Sequence, residues 1–300
     1  MSSAANRQRS MMRSVAPSLL AIALGFAAVP VVAGPFHFSA GEPDAKIATA
    51  TQPSGAGGSE IESADDFILT DPTSITHATF TGLLVPTPGA APSVSEIVVE
   101  IYRVFPNDSD TTRTPQVPTR VNSPSDVAFD SRDSATPGKL SFTIDVLNPN
   151  FTAANSVQPG GIHPSPNQTT GGDGAVTGEE VLFDVTFSDP FTLPADHYFF
   201  VPQVEVTGGT FLWLSAPKPI VPPGTPFAPD LQSWTRDADL DPDWLRVGTD
   251  IVGPPIGGGT APTFNAAFSL DGATIPEPAT LALLVLALAG MGLAKQRRPG

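Results

Sequence analysis

Val204-Glu205-Val206-Thr207-Gly208-Gly209-Thr210-Phe211-Leu212-Trp213-Leu214 reads as two short strands around a glycine pair. Val204 and Val206 alternate with Glu205 and Thr207, the period-2 signature of a strand with one buried face. Two adjacent glycines accept the positive φ that a two-residue hairpin turn demands, so the stretch predicts a tight antiparallel hairpin. An all-β chain follows from extending the same reading outward.

Upstream, Ser95–Phe105 sets Ile97, Val99, Ile101 and Phe105 on one face and Val98, Tyr102 and Val104 on the other, which predicts a central strand. Ser74–Leu84, Ser141–Leu147 and Glu180–Ser188 alternate in the same way, and His197–Val206 does so with Pro202 inside it. A proline there implies an edge strand or a bulge. With Trp244–Val247, Phe264–Leu270 and a first strand near Glu62–Leu69, the prediction is about nine strands. In that first strand Phe67 and Leu69 point inward, while Asp65 and Asp66 read as capping a turn. The expected fold class is all-β, an antiparallel β-sandwich of jelly-roll type, spanning 61–274 after a flexible linker at 34–60. Pro106–Lys139, Asn148–Glu179 and Ser215–Asp243 are connections long enough to be functional.

Composition narrows the partners. Between residues 34 and 275 stand 29 acidic residues against nine basic ones, a formal charge of −20. Such a surface repels nucleic acid and favours cations or basic partners. Cysteine is absent, so the body has no disulfides and must be held by its core.

The two ends carry addresses. Residues 1–33 place Arg7, Arg9 and Arg13 before the apolar run Val15–Val32 and finish on small residues, so a signal peptide is cut between Ala33 and Gly34 after passage through the export translocon. Pro17 and Pro30 interrupt the run and argue against a permanent anchor. At the other end Pro276-Glu277-Pro278 refuses helix, 279–294 is uncharged and apolar, and Lys295, Arg297 and Arg298 close the chain with positive charge. A single C-terminal transmembrane helix is predicted over 279–294, although at about 1.5 Å per residue it spans only roughly 24 Å. A buried helix of a soluble domain would carry a polar stripe, which this run lacks. The positive-inside rule keeps the basic end cytoplasmic.

These three parts in this order resemble the PEP-CTERM sorting signal of exported Gram-negative proteins, here over 275–300. The resemblance implies recognition of Pro276, Glu277 and Pro278 and cleavage near them by an exosortase, a membrane protease or transpeptidase. It also implies a transient inner-membrane anchor, a final place in the cell envelope or outside the cell, and a link to exopolysaccharide and biofilm matrix.

Candidate ligand sites are fewer. Asp237, Asp239, Asp241 and Asp243 stand at every second position and offer hard oxygens to Ca²⁺, although the spacing fails the EF-hand pattern. Trp213, Trp234 and Trp244 are candidates for a sugar-stacking platform. Asn107-Asp108-Ser109-Asp110 is a turn and a second acidic cluster. No nucleophile motif, His-Glu-x-x-His or phosphate loop is present. Glu179 and Glu180 are the remaining carboxylate pair for a glycan-active hydrolase. The expectation is therefore a structural or adhesive envelope protein without catalysis or cofactor, with a carbohydrate- or Ca²⁺-binding module as the alternative and a glycan hydrolase as the second.

Overall fold

In the computed structural model, residues 33–55, 58–110, 121–163, 168–217, 231–238 and 244–276 are described. The strands are, in chain order, β1 (Pro35–Ser39), β2 (Ile47–Ala50), β3 (Ile61–Leu69), β4 (Thr73–Pro86), β5 (Ser93–Arg103), β6 (Asp130–Asp133), β7 (Leu140–Ala153) and β8 (Asn155–Val157). They continue with β9 (Val176–Leu193), β10 (Asp196–Thr207), β11 (Gly209–Ala216), β12 (Trp234–Asp237), β13 (Leu245–Arg246), β14 (Asn265–Ala266) and β15 (Phe268–Thr274). A π-helical turn, Val247–Val252, follows β13 where the sequence reading extends a strand to Val247.

Two sheets form. The first has nine strands and the second six, in the order β13-β12-β3-β10-β5-β6. Within the first, β4 pairs with β9 along one edge, and β9 with β7. The other edge of β4 is shared: Thr73–Phe80 pairs with β15, and Gly82–Pro86 pairs with β11. Gly82 sits at this fork, where a Cβ would fall 2.3 Å from the Phe211 ring. Among the described strands only β2 and β8 pair in parallel. The β-sandwich is realised, but sheets of nine and six strands exceed the eight strands of a jelly roll.

The interior between the sheets is aromatic. Phe80 stacks on Phe183 at 4.8 Å, Phe211 meets Phe183 edge-on at 5.2 Å, and Phe200 of the second sheet stacks on Phe268 at 5.1 Å. Phe67 and Leu69 point into this core as the alternation predicts. Ile97, Val99 and Ile101 of β5 do so too, while Tyr102 and Val104 join a separate cluster on the far face of the sheet. β5 is flanked by β10 and β6, an internal strand as expected.

Three expectations are corrected. The glycine pair is not a hairpin, because β10 lies in the second sheet and β11 in the first. Both flanking runs are apolar on both faces and take internal places, where neither leaves an edge for the other. Gly208, at φ 75°, turns a corner between the sheets beside the β4–β5 connection, which makes the same crossing. Thr87 N–H donates to Gly208 O at 2.9 Å, and a Cβ on either glycine would come within 2.7 Å of a carbonyl oxygen. The contact demands glycine.

The flexible linker at 34–60 is the second correction. β1 and β2 lie within it, and all four residues of β2 are buried beside β11. Ile47 supplies the apolar anchor, and small Ala48 and Ala50 let the strand sit close. The third concerns Pro202, which falls in a strand flanked on both sides. Pairing with β3 stops at Phe200, and Pro202 O accepts from the Thr51 hydroxyl on that side, so the missing N–H falls where the ladder has ended. Proline needed a local edge, and received one.

Candidate functional site

The outer face of the second sheet holds the densest polar chemistry among the described residues. Alternation turns Glu62, Ala64 and Asp66 of β3, Glu100 and Tyr102 of β5, and His197, Phe199, Val201 and Gln203 of β10 away from the sandwich interior. All but Glu100 are kept from water, covered by Leu231, Trp234 and Trp244, which join Ala64, Tyr102, Val104, Phe199 and Val201 in a second apolar cluster. The face is therefore a small core with charges inside it.

At one end of that face Glu62, 1% exposed, ion-pairs with Arg236 of β12 through a hydrogen bond from Nε to Oε2. Register explains the meeting, since Arg236 stands opposite Glu62 in the β12–β3 ladder. The Tyr102 hydroxyl donates to Glu62 Oε1 at 2.5 Å, accepts from Arg236 Nη2 at 3.1 Å and lies 3.2 Å from Glu100 Oε2. The guanidinium also lies over the Trp244 ring at 4.6 Å. Burial, then the neighbouring Glu62 and Glu60 carboxylates, push Glu100 up to about 8, so it holds a proton at neutral pH. Burial and Glu62 push the Tyr102 phenol up as well and keep it a donor. The carboxylates of Glu60, Glu62 and Glu100 offer oxygens within 4.8 Å of one another, and they are the residues here that could hold a metal. Glu62 is buried with both oxygens engaged by Arg236 and Tyr102, an arrangement that does not present it to a sugar ring.

At the other end Asp66 and His197 form a buried pair, with Nε2 and Oδ2 2.6 Å apart. Asp66 Oδ1 accepts from Leu231 N–H at 2.9 Å. His197 and Leu231 line a cavity of about 250 Å³ with Val104, Phe105 and Asn122. Its described walls carry no hydroxyl or thiol nucleophile, and the pair ties β3 to β10 and to the chain at 231. Asp65 and Asp66 thus lie inside β3, 0% and 1% exposed, rather than capping a turn.

The residues singled out from the sequence fall elsewhere. Trp213 faces the sandwich interior, 2% exposed, with Nε1 donating to Ala267 O. Trp234 and Trp244 are 1% exposed on the opposite face, and Trp244 Nε1 donates to Ser125 O. They form no platform, because the ring faces a sugar would need are covered by protein. Asp237 is buried on β12 opposite Ile61, while Asp239, Asp241 and Asp243 lie outside the described residues. Glu179 and Glu180 are consecutive within β9, so their side chains point to opposite faces and make no pair. The Asn107–Asp110 cluster is a turn, with Asp108 at φ 57°.

Sequence reasoning passed over Glu62, Glu100, Gln203 and Arg236. The available signal was an acid at alternate positions of strands otherwise apolar on both faces. Glu100 between Val98 and Tyr102 is the clearest case.

Gly34, where the sequence reading expects the signal peptide to end, lies beside the end of β15. Gly34 N–H donates to Thr274 Oγ1 at 2.8 Å, and Thr274 N–H donates to Gly34 O at 2.8 Å. Ile275 N–H then donates to Pro72 O at 2.6 Å, and Pro276 is the last described residue. Glu277, Pro278, the apolar run 279–294, Lys295, Arg297, Arg298 and residues 1–32 lie outside the described set. No helix among the described residues is long and apolar enough to cross a membrane.

Residues 274–298 match the PEP-CTERM protein-sorting motif. No match to a curated protein or to a solved structure was found. The motif marks an exported protein directed to an exosortase, a membrane protease-like enzyme, with its C-terminus anchored in the membrane before cleavage.

Proposed function

We propose that this exosortase-directed protein is a structural or adhesive component of the cell envelope or extracellular matrix, delivered as a folded β-sandwich and released from its C-terminal tail. The observation that carries the reading is the join between β15 and the sorting motif. The matched segment begins at Thr274, the last residue of β15, and Ile275 is still hydrogen-bonded to the body. A cut at Pro276–Pro278 would fall directly after the last strand of the body. An acidic body suits a matrix of polymers and counter-ions.

The test is fractionation with mass spectrometry of the C-terminus. The parent is expected in the envelope or medium without Arg298, and a Pro276→Ala/Glu277→Ala variant in the inner membrane with Arg298 retained. A parent that keeps Arg298 would sink the sorting part. Co-sedimentation with native exopolysaccharide, without release of reducing sugar, is the expected behaviour for the adhesive part; sugar release would replace it with the hydrolase reading.

A further inference from the structure

We propose that the carboxylates of Glu60, Glu62 and Glu100, together with the side-chain amide oxygen of Gln203, form a binding site for a hard divalent cation, Ca²⁺ in an exported protein. Three carboxylates in a group are common on acidic surfaces and would not carry this alone. The second observation is Gln203. Its side chain is 1% exposed, its Nε2 donates to Glu60 Oε1 at 3.2 Å, and its Oε1 is buried with no hydrogen-bond donor. An orphaned buried carbonyl oxygen costs about 1–3 kcal/mol. This one belongs to an amide already held against a carboxylate of the cluster, and a cation shared by the two satisfies both.

The chemistry selects the ion class. Every donor is an oxygen; the cluster holds no histidine, and the chain holds no cysteine. Two oxygens bound to one Ca²⁺ at 2.3–2.6 Å lie at most about 5 Å apart, and the three carboxylates satisfy that limit at 4.8 Å. Mg²⁺ demands shorter distances and stricter octahedral geometry, which donors from β3, β5, β10 and the segment before β3 do not readily supply. Glu62 is tied on Oε2 by Arg236 and on Oε1 by Tyr102, so it contributes a remaining lone pair. Glu60 and Glu100 are partly exposed and give a small ion a way in. The ion displaces the Glu100 proton to solvent as it binds, and water completes the shell.

The site differs from the aspartates at 237–243 and joins three strands, β3, β5 and β10. The full chain, stripped with EDTA, is titrated with CaCl₂ and separately with MgCl₂ and NaCl at matched ionic strength, following thermal unfolding and tryptophan fluorescence. Calcium at about ten times its dissociation constant is expected to raise Tm by roughly 3–6 °C. Glu100→Gln copies the protonated acid and is expected to fold like the stripped parent while losing at least ten-fold in calcium affinity. Glu60→Gln, at a partly exposed position, is expected to do the same and guards against misfolding of the first variant. No calcium shift in the parent would overturn the site. An equal shift in both variants, or an equal shift with NaCl, would do so as well, by placing the effect on another acidic group or on screening of the body's charge.

Discussion

The interior of the sandwich and the outer face of its second sheet are both shielded from water, yet they are built from opposite materials. The interior is a run of interlocked rings from β4, β9, β10, β11 and β15, and the acid on its face, Asp65, accepts from the Ala266 N–H. Its stability comes from area removed from water, about 25 cal/mol per Å², and from dense packing that tolerates no gaps. The outer face buries Glu62, Asp66 and His197 among Trp234, Trp244 and Tyr102. There each charge must be met by a partner of fixed geometry, because an unpaired one is expensive at low dielectric. The interior can be any well-filled hydrophobic volume. The outer face specifies particular partners, and so it is where a ligand would be recognised.

The comparison breaks most visibly in the interior. Phe183→Ala removes the ring stacked on Phe80 and met by Phe211, and is expected to cost about 3–5 kcal/mol in chemical denaturation. A loss under 1 kcal/mol would mean that the rings are not close-packed. On the outer face, Glu62→Leu leaves Arg236 without its carboxylate and is expected to cost about 3 kcal/mol. Adding Arg236→Met should recover most of that, since removing both partners of a buried pair is far milder than removing one. No recovery would show that packing, not charge, dominates there.

The smallest effect sharpens the contrast through pH. Glu100 is raised to about 8 in the fold, above its ordinary value of 4.5, by burial first and by Glu62 and Glu60 next. The folded state therefore keeps a proton that the unfolded chain gives up. The associated stability is complete below pH 4.5 and is lost as pH rises towards 8. In chelator, Tm is expected to fall across pH 5–8 in the parent and to stay flatter in Glu100→Gln. Arg236, Tyr102, Glu62 and Glu60 face this group from β12, β5, β3 and the segment before β3, and they are unchanged in the variant. Identical slopes would show that Glu100 is ionised in the fold.

Much of this was legible in the sequence. Alternation located every long strand, and Phe67, Leu69, Ile97, Val99 and Ile101 point where it says. The short strands β1, β2, β6, β8 and β12 escaped because they hold five residues or fewer and draw their stability from neighbours, not from a pattern of their own. The tryptophans and the carboxylate pair at 179–180 misled for a different reason. Residue type names what a side chain can do, and burial decides whether it is free to do it.

By itself the sequence determined that the chain is all-β and where it is sent. Period-2 alternation acts over a few residues, and a sorting motif is read along the chain by another protein. Neither needs the fold. The tertiary structure alone decided that the glycine pair is a corner between sheets, that the three tryptophans are core, and that Glu60, Glu62, Glu100, Gln203 and Arg236 share one place. Those residues are separated by up to 176 positions. Strand register brings them together, and register is settled by which edges remain open once the most apolar strands have taken the interior.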